Sequence, residues 1–134
     1  MLSSIGLSPA GEHVPSVLIV DDNPQIRKLL GAFLGALEGV RICGEAVDGL
    51  DAIAKCCELT PDLVVLDFAM PRMNGLEAAR KLRSMNIRAQ IVLFTLYADQ
   101  VTPLELDGTG ISTVFSKGDV DGLMKHILST ARSL

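Results

Sequence analysis

From Ser16 onward, short apolar runs rich in β-branched residues alternate with stretches of helical period, five times over. This alternation constrains the fold more than any other feature, because strands that read as continuous apolar runs are buried on both faces, as in a parallel sheet covered by helices. Val17-Leu18-Ile19-Val20, Leu63-Val64-Val65-Leu66 and Ile91-Val92-Leu93-Phe94 are such runs. Val40 to Ala46 is more polar and is expected at an edge, and a short fifth strand is expected near Val114-Phe115. After Pro24, which suits a first helical turn, Ile26, Leu29, Leu30, Phe33, Leu34 and Leu37 recur with helical spacing. A second apolar stripe is Leu50, Ile53, Ala54 and Cys57, and a third helix is expected from Leu76 to Met85, entered through Pro71 and Asn74-Gly75. The last helix carries Val120, Leu123, Met124, Ile127 and Leu128. Pro103, Gly108 and Gly110 predict a short or irregular fourth helix, since Pro removes a donor and Gly weakens helical backbone. The fold class is therefore α/β, a doubly wound five-stranded parallel sheet with five helices.

The 134 residues leave room for one domain, and 49% apolar against 21% charged residues supply a core without disulfides or a structural metal. A net charge of -4 argues against a phosphate-backbone binder, which needs a basic face, so direct nucleic-acid binding is not expected. The longest apolar runs, about five residues, fall far short of the roughly 20 that span a bilayer. Residues 1–14, with Ser3, Ser4, Gly6, Ser8, Pro9 and Gly11, read as a flexible leader rather than a signal peptide, before a domain over 15–134. Cys43, Cys56 and Cys57 are odd in number and lack ligand spacing, which predicts reduced thiols in packing roles and a cytoplasmic location.

The chemistry is concentrated by position. Asp21, Asp22, Asp67, Thr95 and Lys117 all fall at or just past the carboxyl ends of predicted strands, the edge where open α/β sheets bind ligands. Crowded carboxylates repel and raise one another's pKa unless a cation is present. Mg²⁺, held by one or two carboxylates plus a phosphate, resolves that repulsion. Asp67 has the character of a carboxylate nucleophile, with Lys117 and Thr95 placed to meet phosphoryl oxygens. Taken singly, each of these residues reads as solvated surface. Their conjunction at strand ends describes a phosphoryl acceptor site.

These residues resemble the receiver domain of two-component response regulators, most visibly over Asp67-Phe68-Ala69-Met70-Pro71-Arg72-Met73-Asn74-Gly75-Leu76-Glu77. The Asp21-Asp22 pair, Thr95 and Lys117 sit at that family's spacings, and the resemblance covers about Ser16 to Ser133. Gly44-Glu45-Ala46 and Asp48-Gly49 are similar to the subfamily whose receivers precede a helix-turn-helix domain. The resemblance implies a flavodoxin-like sheet of order 2-1-3-4-5. It also implies phosphorylation of Asp67 by a sensor histidine kinase or phosphotransfer protein. Mg²⁺ would be held by Asp22, Asp67 and the Ala69 carbonyl, with Asp21 acting through water. Thr95 would be the switch hydroxyl and Lys117 its charge partner. Such a domain turns over no external substrate and signals by shifting a pre-existing equilibrium, with room for a homodimer. The alternative is a degenerate receiver acting as a phosphorylation-independent interaction module.

Several positions depart from the family pattern. Val114 stands where an aromatic is usual, Leu96 where a small residue is usual, Gly118 where a proline often follows the lysine, and Pro103 alters helix 4. Phe115, beside Val114, points to the opposite face and is expected in the core. Two expectations follow. Ala69 and Tyr97 occupy positions that tune attack of water on the acyl phosphate, so dephosphorylation should be slow. Val114 and Pro103 direct output through a surface other than the usual aromatic switch. Rival readings lack their parts: a haloacid-dehalogenase-type phosphatase needs an acid where Ala69 stands, and a nucleotide or flavin site needs a glycine-rich loop where Asp21-Asp22-Asn23-Pro24 stands. His13 and His126 read as ordinary surface histidines, and Arg80, Lys81 and Arg83 as a solvated face. The last predicted helix ends near Ser133 and the chain stops at Leu134, so no output domain is expected within it.

Overall fold

A computed structural model describes residues 13–134. Of the leader expected over 1–14, residues 1–12 lie outside the described residues. The elements follow in the order β1 (Ser16–Val20), α1 (Pro24–Gly35), β2 (Arg41–Ala46), α2 (Gly49–Leu59), β3 (Leu63–Leu66), α3 (Gly75–Ser84), β4 (Gln90–Thr95), α4 (Pro103–Leu106), β5 (Ile111–Ser116) and α5 (Val120–Ala131). The four strand pairings of the sheet are parallel, as the sequence predicts, and the order is β2-β1-β3-β4-β5, as the resemblance implies.

The period of two along each strand divides the core between the two faces. Leu18, Val20, Val64, Leu66, Ile91 and Leu93 face Ala52 and Cys56 of α2 and Leu76, Ala79 and Leu82 of α3. Val17, Ile19, Leu63, Val65, Val92 and Phe94 face Leu30 and Leu34 of α1 and Leu123, Met124 and Ile127 of α5. Both edge strands carry one extra residue, Cys43 in β2 and Ser112 in β5. Each turns its side chain onto the neighbouring strand: Cys43 Sγ donates to the Val17 carbonyl at 3.5 Å and Ser112 Oγ to the Ile91 carbonyl at 3.2 Å. These bulges bend the edges of the sheet.

Three details differ from the sequence reading. Leu29 and Phe33 belong to the apolar stripe of α1 but are exposed, because the helix meets the sheet through Leu30 and Leu34, with Ile26 and Leu37 at the margins. In α2 the buried side chains are Ala52 and Cys56; of the expected stripe Ile53 packs at the margin of the core, while Leu50, Ala54 and Cys57 are exposed. Small side chains set that contact, so a stripe chosen by hydrophobicity falls on the flank of the helix. β5 starts at Ile111, earlier than its apolar pair indicates, because Ile111 pairs with Ile91. Pro103 opens α4 rather than breaking it, and the helix has four residues, as short as expected.

Every α-helix is capped at its N-terminus by a side chain. Asn23, Asp48, Asn74, Thr102 and Asp119 each accept a backbone N–H one turn in, and Asn74 and Thr102 complete capping boxes with Glu77 and Glu105. These caps pin the loops at the carboxyl edge of the sheet. No helix of the described residues is long and apolar enough to cross a membrane.

Candidate phosphoacceptor site

The carboxyl ends of β1, β3, β4 and β5 bring Asp21, Asp22, Asp67, Thr95 and Lys117 to one crevice. Adjacent strands place Asp21 after Val20 and Asp67 after Leu66, and those strand ends pair directly. The Asp67 amide donates to the Val20 carbonyl at 3.0 Å, which sets the two acids side by side. Asp21, Asp67 and Thr95 are buried, whereas Asp22 is exposed. One oxygen from each of the three carboxylates lies within 4.8 Å of the others, a hard-oxygen cluster suited to a divalent cation.

Lys117 reaches this cluster from the end of β5, with its side chain only 9% exposed. Its ammonium lies 2.8 Å from Asp21 Oδ2 and 3.2 Å from Asp67 Oδ2. Burial opposes its charge, but bonding to Asp21 and the charges of Asp67 and Asp21 outweigh burial and raise its pKa. Asp67 is shifted upward as well. Burial is the main cause and the Asp21 charge adds to it, against the lowering effects of Lys117 and Thr95. The site holds more negative charge than one lysine balances.

A layer of supporting contacts surrounds these groups. Asp21 Oδ1 accepts the Asn23 N–H at 2.9 Å, and the Asp21 carbonyl accepts Arg27 Nη1 at 2.8 Å. Arg27 Nε is paired with Glu45 Oε1 at 3.0 Å, tying α1 to β2 beneath the acids. The Thr95 hydroxyl accepts the Tyr97 N–H at 3.2 Å. The Tyr97 ring meets Phe68 edge to face, with centroids 6.4 Å apart and planes at 74°. Gly75 approaches the acid loop so closely that a Cβ there would overlap the Asp67 carbonyl, and its N–H donates to the Phe68 carbonyl at 2.8 Å.

The other residues singled out by sequence fall as follows. Ala69 lies exposed in the β3–α3 loop. Leu96 is 70% exposed. Val114 is half-buried against the cluster shared by Ile91 and Leu93, and Phe115 packs on the opposite face beside His126, 5.5 Å between rings. No cis peptide occurs among the described residues, so Gly118 follows Lys117 through a trans bond. His13 pairs with Asp62 at 2.7 Å. Arg80 and Arg83 are exposed yet tied down: Arg80 Nη2 donates to the Glu105 carbonyl at 2.8 Å and Arg83 Nη2 to the Gly110 carbonyl at 3.5 Å, fastening α3 to the α4–β5 segment. Cys43 is half-buried and Cys56 buried, in line with packing roles, but Cys57 is exposed.

Sequence reasoning missed Arg27 as a support of Asp21 and missed Arg72. Arg27 stands one helical turn after Asn23, a position from which a long side chain reaches back to the strand end. No sequence signal marks Arg72. It has φ +67° in the β3–α3 loop, and its guanidinium pairs with the buried Asp48. A groove of about 610 Å³ lined by Cys57, Pro61, Ile87 and Arg88 lies at the opposite, amino edge of the sheet.

Comparison with known proteins gives a consistent picture. The sequence profile of the response regulator receiver domain matches residues 17–128. The chain is 30% identical over 119 residues to the response regulator UvrY of Escherichia coli, covering 89% of this chain and 53% of that protein. It is 37% identical over 94 residues to a protein-glutamate methylesterase/protein-glutamine glutaminase of a Nocardioides species, covering 70% of this chain and 26% of that protein. The chain thus spans only part of the length of the curated relatives it matches. Among solved structures, the response regulator TrrA of Thermotoga maritima, in complex with Mg(2+)-BeF, superposes with a TM-score of 0.75 at 32% identity, covering 87% of this chain and 98% of that one. The response regulator domain of Thermotoga maritima CheB superposes with a TM-score of 0.77 at 25% identity, covering 90% and 96%.

Proposed function

The chain belongs to the response regulator receiver domain family of two-component systems, and on that premise we propose that it is a phosphoacceptor switch in which Asp67 takes a phosphoryl group from a sensor histidine kinase or phosphotransfer protein. The observation that carries this reading is the single buried ammonium of Lys117 shared between Asp21 and Asp67, with Asp22 completing the acid cluster. A carboxylate oxygen of Asp67 attacks the phosphorus, an O–P bond forms, and the P–N bond to the donor histidine breaks with its electron pair returning to the imidazole nitrogen. Lys117 turns toward the new phosphoryl oxygens, and the Thr95 hydroxyl, bonded in this state by the Tyr97 N–H, moves to donate to another.

The donor set fits Mg²⁺: three carboxylate oxygens are gathered in one crevice, and Ala69 follows Asp67 by two residues in the β3–α3 loop. Asp22, Asp67 and the Ala69 carbonyl would hold it directly and Asp21 through water, and when bound it would neutralise charge on the incoming phosphoryl group. The presence of Mg(2+)-BeF in the TrrA relative supports this assignment. The chain itself turns over no external substrate, acts in the cytoplasm and passes its signal to a protein partner. The lysine held between two buried acids favours this reading over a phosphorylation-independent module.

Incubation with a small phosphodonor and Mg²⁺, followed by intact mass, tests the reading. One added phosphoryl group that disappears in Asp67→Asn supports it. No addition under any condition, or addition that survives the substitution, overturns it.

A further inference from the structure

Three residues other than glycine have positive φ among the described residues: Thr60 at +44°, Asn86 at +60° and Arg72 at +67°. The first two close α2 and α3, where a left-handed residue is the usual terminator. Arg72 ends no helix. It lies in the β3–α3 loop, three residues after Ala69, in a conformation that side chains disfavour. The Met73 N–H donates to the Pro71 carbonyl at 2.7 Å across it, so Arg72 is the centre of a γ-turn of the rare, strained kind.

Its side chain supplies the compensation. The guanidinium crosses to the β2–α2 loop and donates through Nε, at 2.9 Å, and through Nη2 to Asp48 Oδ2. Asp48 Oδ1 is already taken by the Asp51 N–H at 2.8 Å, the N-cap of α2. Both oxygens are therefore used, and the Asp48 side chain is 3% exposed while that of Arg72 is 66% exposed. The two loops touch at the next residue too: a Cβ on Gly49 would come within 2.6 Å of the Met73 carbonyl. The loop from Phe68 to Gly75 is closed at its ends by the Phe68 carbonyl to Gly75 N–H bond. Between these ends it is fastened from outside by Asp48.

We propose that Asp48 and Arg72 form a latch that positions the β3–α3 loop, so that the Ala69 carbonyl is presented toward the acid cluster. Arg72 is then a positioning residue for cation binding. The inference rests on the reading of the cluster given above. The fork of Arg matters, because two N–H groups on one carboxylate fix the direction of the side chain as a single ammonium does not. The same latch ties the start of α2 to the site, so the two elements shift together.

The test uses Arg72→Ala, Arg72→Lys, Asp48→Asn and the double substitution, with two readouts. In metal-free protein, hydrogen exchange at the Met73 amide should quicken in Arg72→Ala while exchange in β1 and β3 stays as in wild type. In a calorimetric titration of unphosphorylated protein with Mg²⁺, the half-saturating concentration should rise roughly tenfold in Arg72→Ala, the low end of what outer partners of a metal site contribute. Arg72→Lys should fall between wild type and Arg72→Ala, and the double substitution should be no worse than either single one, since both break one interaction. Should Asp48→Asn fail to fold, the exposed Arg72 variants still decide the matter. A wild type that binds Mg²⁺ and accepts phosphate, with Arg72→Ala equal to it in Mg²⁺ affinity, refutes the latch alone. A wild type that binds no Mg²⁺ and takes up no phosphoryl group refutes the reading of the site, and the latch falls with it.

Discussion

Lys117 Nζ stands closer to Asp21, at 2.8 Å, than to the phosphoacceptor candidate Asp67, at 3.2 Å. The lysine therefore serves first as counter-ion to Asp21. Removing it leaves two buried carboxylates facing each other without a cation. Lys117→Met should cost about 2 kcal/mol in urea denaturation, less than a fully enclosed pair would because this edge meets water. Added Mg²⁺ should recover part of the loss. A variant as stable as wild type in chelator would show that the ion pairs contribute nothing net.

Burial first and the Asp21 charge second push the Asp67 carboxyl up from its ordinary 3.8. A carboxyl whose pKa is higher folded than unfolded binds more protons in the folded state. Stability therefore falls as pH rises through the interval from 3.8 to the raised value, and stays lower above it. Asp67→Asn removes that penalty. Its thermal midpoint without metal should exceed wild type by roughly 2 to 5 °C at neutral pH, a modest shift for a domain of this size. The gap should close as pH falls through the carboxylate range. A gap independent of pH, or an Asn variant less stable at neutrality, would contradict the electrostatic account.

Gly75 opens α3 against the backbone of Asp67. In Gly75→Ala the new methyl meets main chain, which cannot swing aside as a side chain would. A loss of about 1 to 3 kcal/mol is expected, within the range for overpacking. Phosphorylation should slow too, because the acid loop must shift. If Gly75→Ala were neutral in both assays, the close approach would be irrelevant.

The Tyr97 ring meets Phe68, the residue after Asp67, edge to face; on the proposed function it would screen an acyl phosphate at Asp67 from water. Tyr97→Ala should shorten the phosphoryl lifetime about threefold to tenfold, at most about 1.4 kcal/mol of barrier. Mass spectrometry after removal of the donor measures it. An unchanged or longer lifetime in the variant would remove Tyr97 from the account.

Much of this was legible in the sequence for a physical reason. Strands buried on both faces cannot disguise their composition, so Val17 to Val20, Leu63 to Leu66 and Ile91 to Phe94 mark three adjacent strands of the sheet, and the polar residues that stop them mark its carboxyl edge. Helix faces were harder to read. α2 docks through Ala52 and Cys56, where small size matters more than hydrophobicity, and α1 leaves Leu29 and Phe33 exposed. The supports of the site were not legible for another reason. Asp48 and Arg72 are 24 positions apart and meet because two loops fold over the same edge. No local spacing encodes that encounter. The bends at Cys43 and Ser112 are equally silent in sequence, since a bulge is a relation between strands.

The cysteines lend the fold a practical use. Burial pushes the Cys56 thiol up to about 12 and holds Cys43 above its ordinary value, while Cys57 is open to solvent on α2. A maleimide dye applied near neutral pH should label Cys57 in the native chain without cysteine removal. That attachment point sits toward the far end of the helix whose N-terminus Asp48 caps, so its emission would report on movement arriving from the acid edge.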